Sequence, residues 1–161
     1  MLSPLETLIR GKEGKHASVI ACAKQKGKLF FILVKSPGNW SEWKFPGGRV
    51  ENGENIKQAA KREFAEETGK ENVVEDLKFF RKEKNKEIFF FFFYVFFHSF
   101  RSFRKDLKER GDEGEEVKIF SIDEMKSMQG FFQPHREVFL RFLKEECHGE
   151  GLNKNGIPVL A

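Results

Sequence analysis

Three glutamates, Glu63, Glu66 and Glu67, are the residues of this sequence that point most directly to chemistry. They belong to segment 55–68, which contains helix-forming residues without Gly or Pro and is followed by Gly69, so we predict an α-helix there. At about 100° per residue, Glu63 and Glu67 fall within the apolar stripe of this helix, and Glu66 falls at its edge. The acids of this helix are therefore expected to face inward.

Two interpretations of this helix differ in where its acids lie. Glutamates of a helix most often lie in solvent and need no partner there. Here, however, Glu63 and Glu67 are like charges four residues apart, and toward a core they destabilise the fold unless they are paired or bound to a cation. Mg²⁺ prefers hard oxygen ligands such as carboxylates. We therefore predict a Mg²⁺ site, with Arg62 hydrogen-bonded to the carboxylate of Glu66.

Two glycines precede the helix and belong to the same predicted site. Gly47 and Gly48 let the backbone approach a metal or a phosphate closely, and the carbonyl of Gly47 is a further candidate oxygen ligand. Glycines in a turn are more often structural than functional, so this signal is weak without the acids.

The composition describes one globular chain of 161 residues with a single core. Hydrophobic residues make up 39% of the chain, which excludes disorder over its whole length. The formal net charge of +4 suits anionic partners but is too small to indicate nucleic-acid binding. We predict one domain over residues 1–147 and a mobile tail over 148–161.

Cysteine usage and hydropathy predict a cytoplasmic protein without a membrane partner. Cys22 and Cys147 form neither a disulfide framework nor a zinc-ligand spacing, which is typical of a reducing cytosol. The longest apolar run, 88–97, is about half as long as a membrane-spanning helix. Residues 1–10 lack the continuous apolar run of a signal peptide.

Strands and further helices must surround the glutamate helix if one of its sides is buried. The uninterrupted apolar run 88–97 indicates a strand buried on both faces of a sheet. Ser121 and Glu124 form a capping box that opens a short helix. The other predicted elements are a β-hairpin (17–23 and 29–34), turns at 36–39 and 52–53, a non-helical KFPGG segment at 44–48, a strand at 73–82, a polar loop at 100–114, a strand at 115–120 and an amphipathic helix at 134–146.

The glycines and the glutamate helix together resemble the Nudix box. Gly48 is followed after five residues by Glu54, and after seven more by the run REFAEETG, residues 62–69. Phe64 occupies the bulky apolar position of the box, whereas Lys70 stands where the box ordinarily closes with an apolar residue. The resemblance implies an α/β fold, a Nudix-like α/β/α sandwich with a mixed β-sheet.

The same resemblance implies roles for the residues of the box. Three glutamates and one carbonyl would ligate Mg²⁺ or Mn²⁺. These ligands are Glu63, Glu66, Glu67 and the carbonyl of Gly47. Arg62 and Glu54 would orient the carboxylates.

The base that deprotonates the attacking water varies among family members and sometimes lies outside the box. We predict Glu116 for this role, with Glu115 and Glu113 as less favoured candidates. The alternative is that all three are loop charges without a role.

The resemblance implies hydrolysis of a nucleoside diphosphate linked to another moiety. Candidate substrates are a nucleoside triphosphate, oxidised or not, ADP-ribose and a dinucleoside polyphosphate; nucleic acid is disfavoured, and capped RNA stays open. The alternative function is a non-catalytic nucleotide-sensing or interaction module on the same fold. The complete set of box carboxylates favours the enzyme, because a binding module does not need them. We expect a monomer or a homodimer.

Aromatic and basic residues outside the box have two interpretations each. Trp40, Trp43 and Phe45 fit either stacking on a base or packing beside a strand, and the run 89–93 fits a core. The basic residues of segment 100–114 fit either contacts with phosphates or an RNA backbone, or a solvated loop. The four histidines have no ligand-like spacing.

Overall fold

The computed structural model describes residues 14–39, 41–71 and 77–150 of the chain. Along these residues the elements are β1 (Gly14–Gln25), β2 (Lys28–Lys35), β3 (Trp43–Lys44), β4 (Gly47–Arg49), α1 (Ile56–Thr68), β5 (Lys78–Asn85), β6 (Ile88–Phe96), α2 (Phe100–Arg104), β7 (Glu116–Ser121), α3 (Ile122–Lys126) and α4 (Gln133–Glu145).

The strands form one mixed sheet, as the sequence predicted. β1 and β2 are the predicted hairpin, and Lys26 and Gly27 both have positive φ (52° and 79°) in its two-residue turn, a conformation typical of type I′ hairpins. β6 lies parallel to β1, whereas β2, β4 and β5 pair antiparallel with their neighbours. The main strand order is β3-β2-β1-β6-β5, with β4 on β1 and β7 on β2.

A hydrophobic core lies on each face of this sheet, and β6 contributes to both. Phe90 and Phe92 pack in the core that contains α4, whereas Phe93 and Val95 pack in the core that contains α1. The prediction that the run 88–97 is buried on both faces is thus confirmed. The helix predicted over 134–146 is α4, and its predicted apolar side is buried as expected. The buried residues are Val138, Phe139, Phe142 and Leu143.

The glutamate helix begins and ends where local signals predict it. Asn55 and Gln58 form a capping box in which each side chain accepts a hydrogen bond from the backbone N–H of the other, at 2.8 and 2.9 Å. Gly69 ends the helix in the left-handed conformation, with φ 82°, and donates its N–H to the carbonyl of Ala65. Both ends of α1 are therefore set by residues adjacent to it in sequence.

The prediction of a polar loop over 100–114 is wrong for its first residues, which form α2. Phe103 of this short helix is fully buried in the core beside α1. The ammonium of Lys70 donates hydrogen bonds to the carbonyls of Ser102 (2.9 Å) and Lys105 (2.7 Å) at the end of α2. Lys70 therefore satisfies carbonyls that a helix end leaves without partners, which explains a lysine where the box usually closes with an apolar residue.

Several predictions lie wholly or partly outside the described residues. These are the leader prediction on residues 1–10, the role of Trp40, the first part of the strand predicted at 73–82 and most of the tail at 148–161. The described part of that strand, β5, begins at Lys78 and continues to Asn85. The assignment of residues 1–147 to one domain stays a prediction.

Two further expectations concern the cysteines and the membrane. Cys22 and Cys147 are both buried and free. Among the helices that the structure describes, none has both the length and the apolar character that crossing a membrane requires.

One histidine lies inside the core beside α4 and serves a structural role there. His135 is 3% exposed, and its Nδ1 accepts the backbone N–H of Phe45 at 3.0 Å. The ring of Phe92 lies 5.0 Å from its imidazole. Burial, reinforced by the positive charge of Lys44, lowers the pKa of His135 well below the ordinary value of 6.5. The fold therefore favours the neutral imidazole.

We expect this histidine to make the protein less stable in mild acid. Below pH 6.5 the unfolded chain binds a proton at this position that the folded chain does not, so the free energy of unfolding decreases as the pH falls, by about 2 kcal/mol between pH 7.5 and 5 from this group alone. His135→Asn keeps an acceptor near the position of Nδ1 and cannot titrate. Urea unfolding at both pH values should show that the wild type loses about 2 kcal/mol of stability relative to His135→Asn between pH 7.5 and 5, because the other titrating groups are common to both proteins.

His98, which is exposed, provides the matched control. His98→Asn should keep the wild-type pH dependence of stability. Equal pH dependence in wild type and His135→Asn would contradict the assignment of this effect to His135.

Candidate active site

The carboxylate of Glu67 lies where α1 meets the short strand β4. Glu67 is only 4% exposed, and its Oε1 accepts the backbone N–H of Gly47 at 2.6 Å. Burial raises the pKa of Glu67 to about 8, although the positive charge of Lys44 and the hydrogen bond from Gly47 act in the opposite direction. The inward orientation of Glu67 inferred from helix geometry agrees with this burial, while its chemical role stays a prediction.

The two glycines of β4 are required for different reasons. Gly47 and Gly48 pair with Ser18 and Ala17 of β1. A Cβ at Gly47 would lie 2.3 Å from the carbonyl oxygen of Ala17 and 2.6 Å from the Cα of Ser18, so the backbone of the sheet excludes a side chain there. A Cβ at Gly48 would lie 2.4 Å from the Cδ of Glu63. Gly47 allows β4 to pair with β1, and Gly48 leaves room for the carboxylate of Glu63.

One arginine holds the acids at the outer side of α1. Arg62 binds Glu54 through two hydrogen bonds, Nε to Oε2 at 2.8 Å and Nη2 to Oε1 at 3.1 Å. Its Nη1 donates to Glu63 Oε1 at 2.9 Å and lies 3.3 Å from Glu66 Oε2, while Nη2 also donates to the carbonyl of Arg49 at 2.9 Å. The structure thus brings Glu54, Arg62 and two helix glutamates together.

The pKa values of the carboxyl groups around Arg62 shift in different directions. The hydrogen bonds with Arg62 lower the pKa of Glu54 below its ordinary value. For Glu63, burial is the larger effect and raises the pKa, despite the opposing hydrogen bond from Arg62. Hydrogen bonding to Glu54, more than any other contact, raises the pKa of Arg62, which remains fully charged.

The acids of α1 form one wall of a cleft of about 190 Å³ whose other wall is also acidic. The second wall belongs to the loop that leads into β7. The lining residues are Glu63, Glu66, Glu67, Asp112, Glu113 and Glu115. This concentration of carboxylates attracts cations and repels a phosphate unless a cation lies between them.

The loop that carries the second wall is anchored to the end of α1. Its backbone N–H groups at Lys108 and Asp112 donate to the carbonyls of Thr68 (2.9 Å) and Glu66 (3.0 Å), which are among the last carbonyls of the helix. Gly111 allows this approach, because a Cβ there would lie 3.0 Å from the Cα of Glu67. The two walls are therefore joined by backbone hydrogen bonds.

Glu116, the base predicted from the sequence, does not line this cleft. Its carboxylate lies 3.9 Å from Nζ of Lys118 on the other side of β7. Glu115 instead lines the cleft and is only 6% exposed. Side chains alternate across a strand, and Val117, two residues after Glu115, packs in the core beside α1. This period-two pattern was available in the sequence and favoured Glu115; the contribution of Asp112 had no comparable signal.

The described part of the chain contains no group of three or more His, Cys, Asp or Glu side chains already arranged to hold a metal ion. The contacts of the predicted ligands explain this: Glu63 and Glu66 turn to Arg62, and Glu67 binds the N–H of Gly47. The donor set itself fits Mg²⁺ or Mn²⁺, because it consists of carboxylate oxygens that face one cleft. A bound cation would also relieve the repulsion among these acids.

Of the aromatic residues considered for stacking on a base, Trp43 and Phe45 lie in the described part of the chain, and both contact other aromatic rings there. Phe45 is fully buried in the core beside α4. Trp43 packs on Phe120 with ring centroids 4.8 Å apart, and the ammonium groups of Lys35 and Lys118 lie 5.9 and 5.7 Å from its ring. For Phe45 the packing interpretation therefore applies.

Comparison with known sequences supports the motif-based interpretation. The family model of the NUDIX domain matches residues 12–142. The chain is 42% identical over 53 residues to an 8-oxo-dGTP diphosphatase of Buchnera aphidicola, a match that covers 30% of this chain and 43% of that protein. It is 41% identical over 54 residues, 32% of this chain, to a Caenorhabditis elegans protein named as a nudix hydrolase, of which the match covers 20%. The matches thus span less than half the length of these curated relatives.

Solved structures share the architecture over most of the chain. A mutT/nudix family protein from Listeria innocua has a TM-score of 0.67 and 22% identity, covering 84% of this chain and 95% of that one. An Ap4A hydrolase of C. elegans has a TM-score of 0.62 and 18% identity, covering 83% and 98%. At these identities the likeness shows the shared fold alone.

The same substitution should cost very different amounts of stability at the two neighbouring glycines. Gly47→Ala places a methyl group against the backbone of β1, so we expect the free energy of unfolding to fall by about 3 kcal/mol or more. Gly48→Ala meets only the end of a flexible glutamate side chain, and we expect a loss below about 1 kcal/mol. Urea unfolding of both variants measures the difference. Equal stability losses would show that β4 is not held against β1 as described.

Proposed function

The chain belongs to the NUDIX domain family, and we propose on that premise that it is a metal-dependent hydrolase of a phosphoric anhydride bond in a nucleoside diphosphate derivative. The proposed substrates are a nucleoside triphosphate, oxidised or not, ADP-ribose or a dinucleoside polyphosphate. The 8-oxo-dGTP diphosphatase named above supports a nucleotide substrate without identifying which one.

The observation that carries this proposal is the cleft lined entirely by acidic side chains. A site that only senses a nucleotide needs donors for its phosphates, and six carboxylates repel them. The same carboxylates suit an enzyme in which divalent cations lie between protein and phosphate. The cleft therefore favours hydrolysis over the alternative of a non-catalytic sensing module.

We assign the roles within this site as follows. Glu63, Glu66 and Glu67 would hold the cation, with the carbonyl of Gly47 as a further oxygen ligand. A bound Mg²⁺ or Mn²⁺ would supply charge neutralisation of the phosphates and Lewis-acid activation of water. Arg62 is a positioning residue, because its guanidinium orients Glu63 and Glu66 through the contacts described above.

For the base we propose Glu115 in place of Glu116. The carboxylate of Glu115 lies in the cleft beside the α1 acids, and its Oε1 accepts the N–H of Glu113 at 3.1 Å, which orients the group. In this role Glu115 takes the proton of a water molecule while the water oxygen attacks one phosphorus of the anhydride. The bond between that phosphorus and the bridging oxygen breaks, and the other phosphate departs with the bridging oxygen. Glu54 acts through Arg62 and does not need to reach the substrate.

A panel of nucleotide derivatives, with products resolved by mass spectrometry, tests the proposed activity. We expect hydrolysis of at least one substrate with Mg²⁺ or Mn²⁺ and none in EDTA. Glu67→Gln keeps a side-chain oxygen that can accept the N–H of Gly47 and should keep the fold, but it should lower turnover by orders of magnitude. Binding of a nucleotide without turnover across the panel would instead identify the sensing module.

The same substitution in two neighbouring glutamates, Glu115 and Glu116, tests which of them is the base. Glu115→Gln should lower kcat by roughly 10²- to 10⁴-fold, the usual contribution of a general base, whereas Glu116→Gln should stay within about twofold of the wild type. A large loss in Glu116→Gln with normal activity in Glu115→Gln would restore the assignment made from the sequence.

A further inference from the structure

A second surface with unassigned chemistry lies at the edge of the sheet formed by β5. Three exposed lysines and three phenylalanines share one side of β1, β5 and β6 there. We call this surface the basic face, and its residues are Lys15, Phe79, Lys82, Lys84, Phe89 and Phe91. None of them lines the acidic cleft.

Strand register places the lysines around the rings. Phe89 pairs with Lys84 on one side and with Lys15 on the other, and Phe91 pairs with Lys82. The ammonium of Lys82 lies 4.5 Å from the ring centroid of Phe89 and 5.6 Å from that of Phe91, and the ammonium of Lys84 lies 5.3 Å from Phe89. Phe89, Phe91 and the two lysines of β5 therefore form one continuous surface.

The rings of the basic face are only partly covered. Phe79 is 55% exposed and touches Phe93 of the neighbouring strand edge to face, with centroids 5.6 Å apart. Phe89 is half-buried and belongs to neither hydrophobic core. Lys82 and Lys84 are both exposed. The ring of Phe89, which packs in no core and lies beneath exposed cationic side chains, is available for a ligand.

Charge is distributed unequally between the two faces of β5. On the opposite face, Arg81 pairs with Glu83 and lies 3.7 Å from Glu145 of α4, so positive and negative side chains balance there. On the basic face, Lys82 and Lys84 have no acidic neighbour within β5. This side of the strand therefore presents an excess of positive charge.

We propose that the basic face binds single-stranded nucleic acid. Bases would stack on Phe79 and Phe89, and the ammonium groups of Lys15, Lys82 and Lys84 would contact phosphates. Proteins that bind single strands without sequence preference combine these two features, aromatic rings for bases and cations for the backbone. The lysines over Phe89 would move outward as a base enters, which keeps their charge close to the adjacent phosphates.

Neither protection of the sheet edge nor self-association accounts for this surface as well. Lysines on an edge strand prevent pairing with another sheet, but an exposed Phe79 beside them works against that protection. A second copy of this chain pairing through β5 would bring the lysines of both copies together, which is unfavourable. Single-stranded nucleic acid satisfies both the charge and the exposed ring.

Fluorescence anisotropy of labelled dodecamers, oligo(U) RNA and oligo(dT), tests this proposal with the full chain in EDTA over a range of salt concentrations. We expect binding that weakens with salt. Lys82→Ala/Lys84→Ala should lower the affinity at least tenfold and reduce the slope of log K against log salt by about 1.4, since each phosphate contact on a single strand contributes about 0.7. Phe79→Ala should weaken binding roughly tenfold with the slope unchanged.

Lys24→Ala/Lys144→Ala is the matched control, because both lysines are exposed and the charge change is the same. Its affinity should stay within about twofold of the wild type. Absence of wild-type binding at low salt, an equal loss in both double variants, or normal binding by Phe79→Ala would each overturn the proposal. So would equal affinity for phosphatidylserine vesicles with the same dependence on Lys82 and Lys84, which would indicate a general anionic surface.

This proposal is independent of the hydrolase assignment. Lys82→Ala/Lys84→Ala should hydrolyse a mononucleotide substrate at the wild-type rate, because neither lysine touches the cleft. Conversely, Glu67→Gln should bind the oligonucleotides normally. Failure of one proposal is therefore measured separately from failure of the other.

Discussion

The hydrogen bond between the N–H of Gly47 and the buried carboxylate of Glu67 joins the helix to the sheet at the candidate active site. A carboxyl group at this depth is stable only with a donor or a cation beside it, so the strand and the helix must remain in contact. Gly47 itself must stay free of a side chain, because the backbone of β1 lies directly against it. This hydrogen bond therefore holds the acidic side of α1 against the strand that carries the two glycines.

Arg62 and the loop before β7 extend this arrangement to the rest of the cleft. Arg62 compensates charge on the outer side of α1, where several carboxylates meet one guanidinium. The loop brings its own acids to the inner side through hydrogen bonds to the last carbonyls of the helix. Most of these constraints involve backbone or a rigid planar group, so they determine where the two walls of the cleft lie, whereas the carboxylates of Glu63 and Glu66 turn to Arg62.

The elements specified by nearby residues were predictable from the sequence. The capping box and the terminal glycine of α1 are signals within a few residues of the helix ends. The helical periodicity that indicates an inward-facing Glu67 is also local, and Glu67 is buried in the structure. α2 was missed because its end is stabilised by Lys70, more than thirty residues earlier in the chain. Charge alone does not distinguish Glu115 from Glu116, whereas strand alternation places Glu115 on the side of Val117, which faces α1. The basic face required the register between β5 and β6, which single-sequence patterns do not supply.

The docking of the β7 loop onto the last carbonyls of α1 also bears on how this protein can diverge. The backbone N–H groups of Lys108 and Asp112 hold this loop on the last carbonyls of α1. The side chains between the end of α2 and Lys108 therefore have little influence on where the acids lie. That stretch can be lengthened or exchanged in a related chain while the carboxylates keep their register. Variation there would alter what surrounds a substrate without disturbing the groups that act on it.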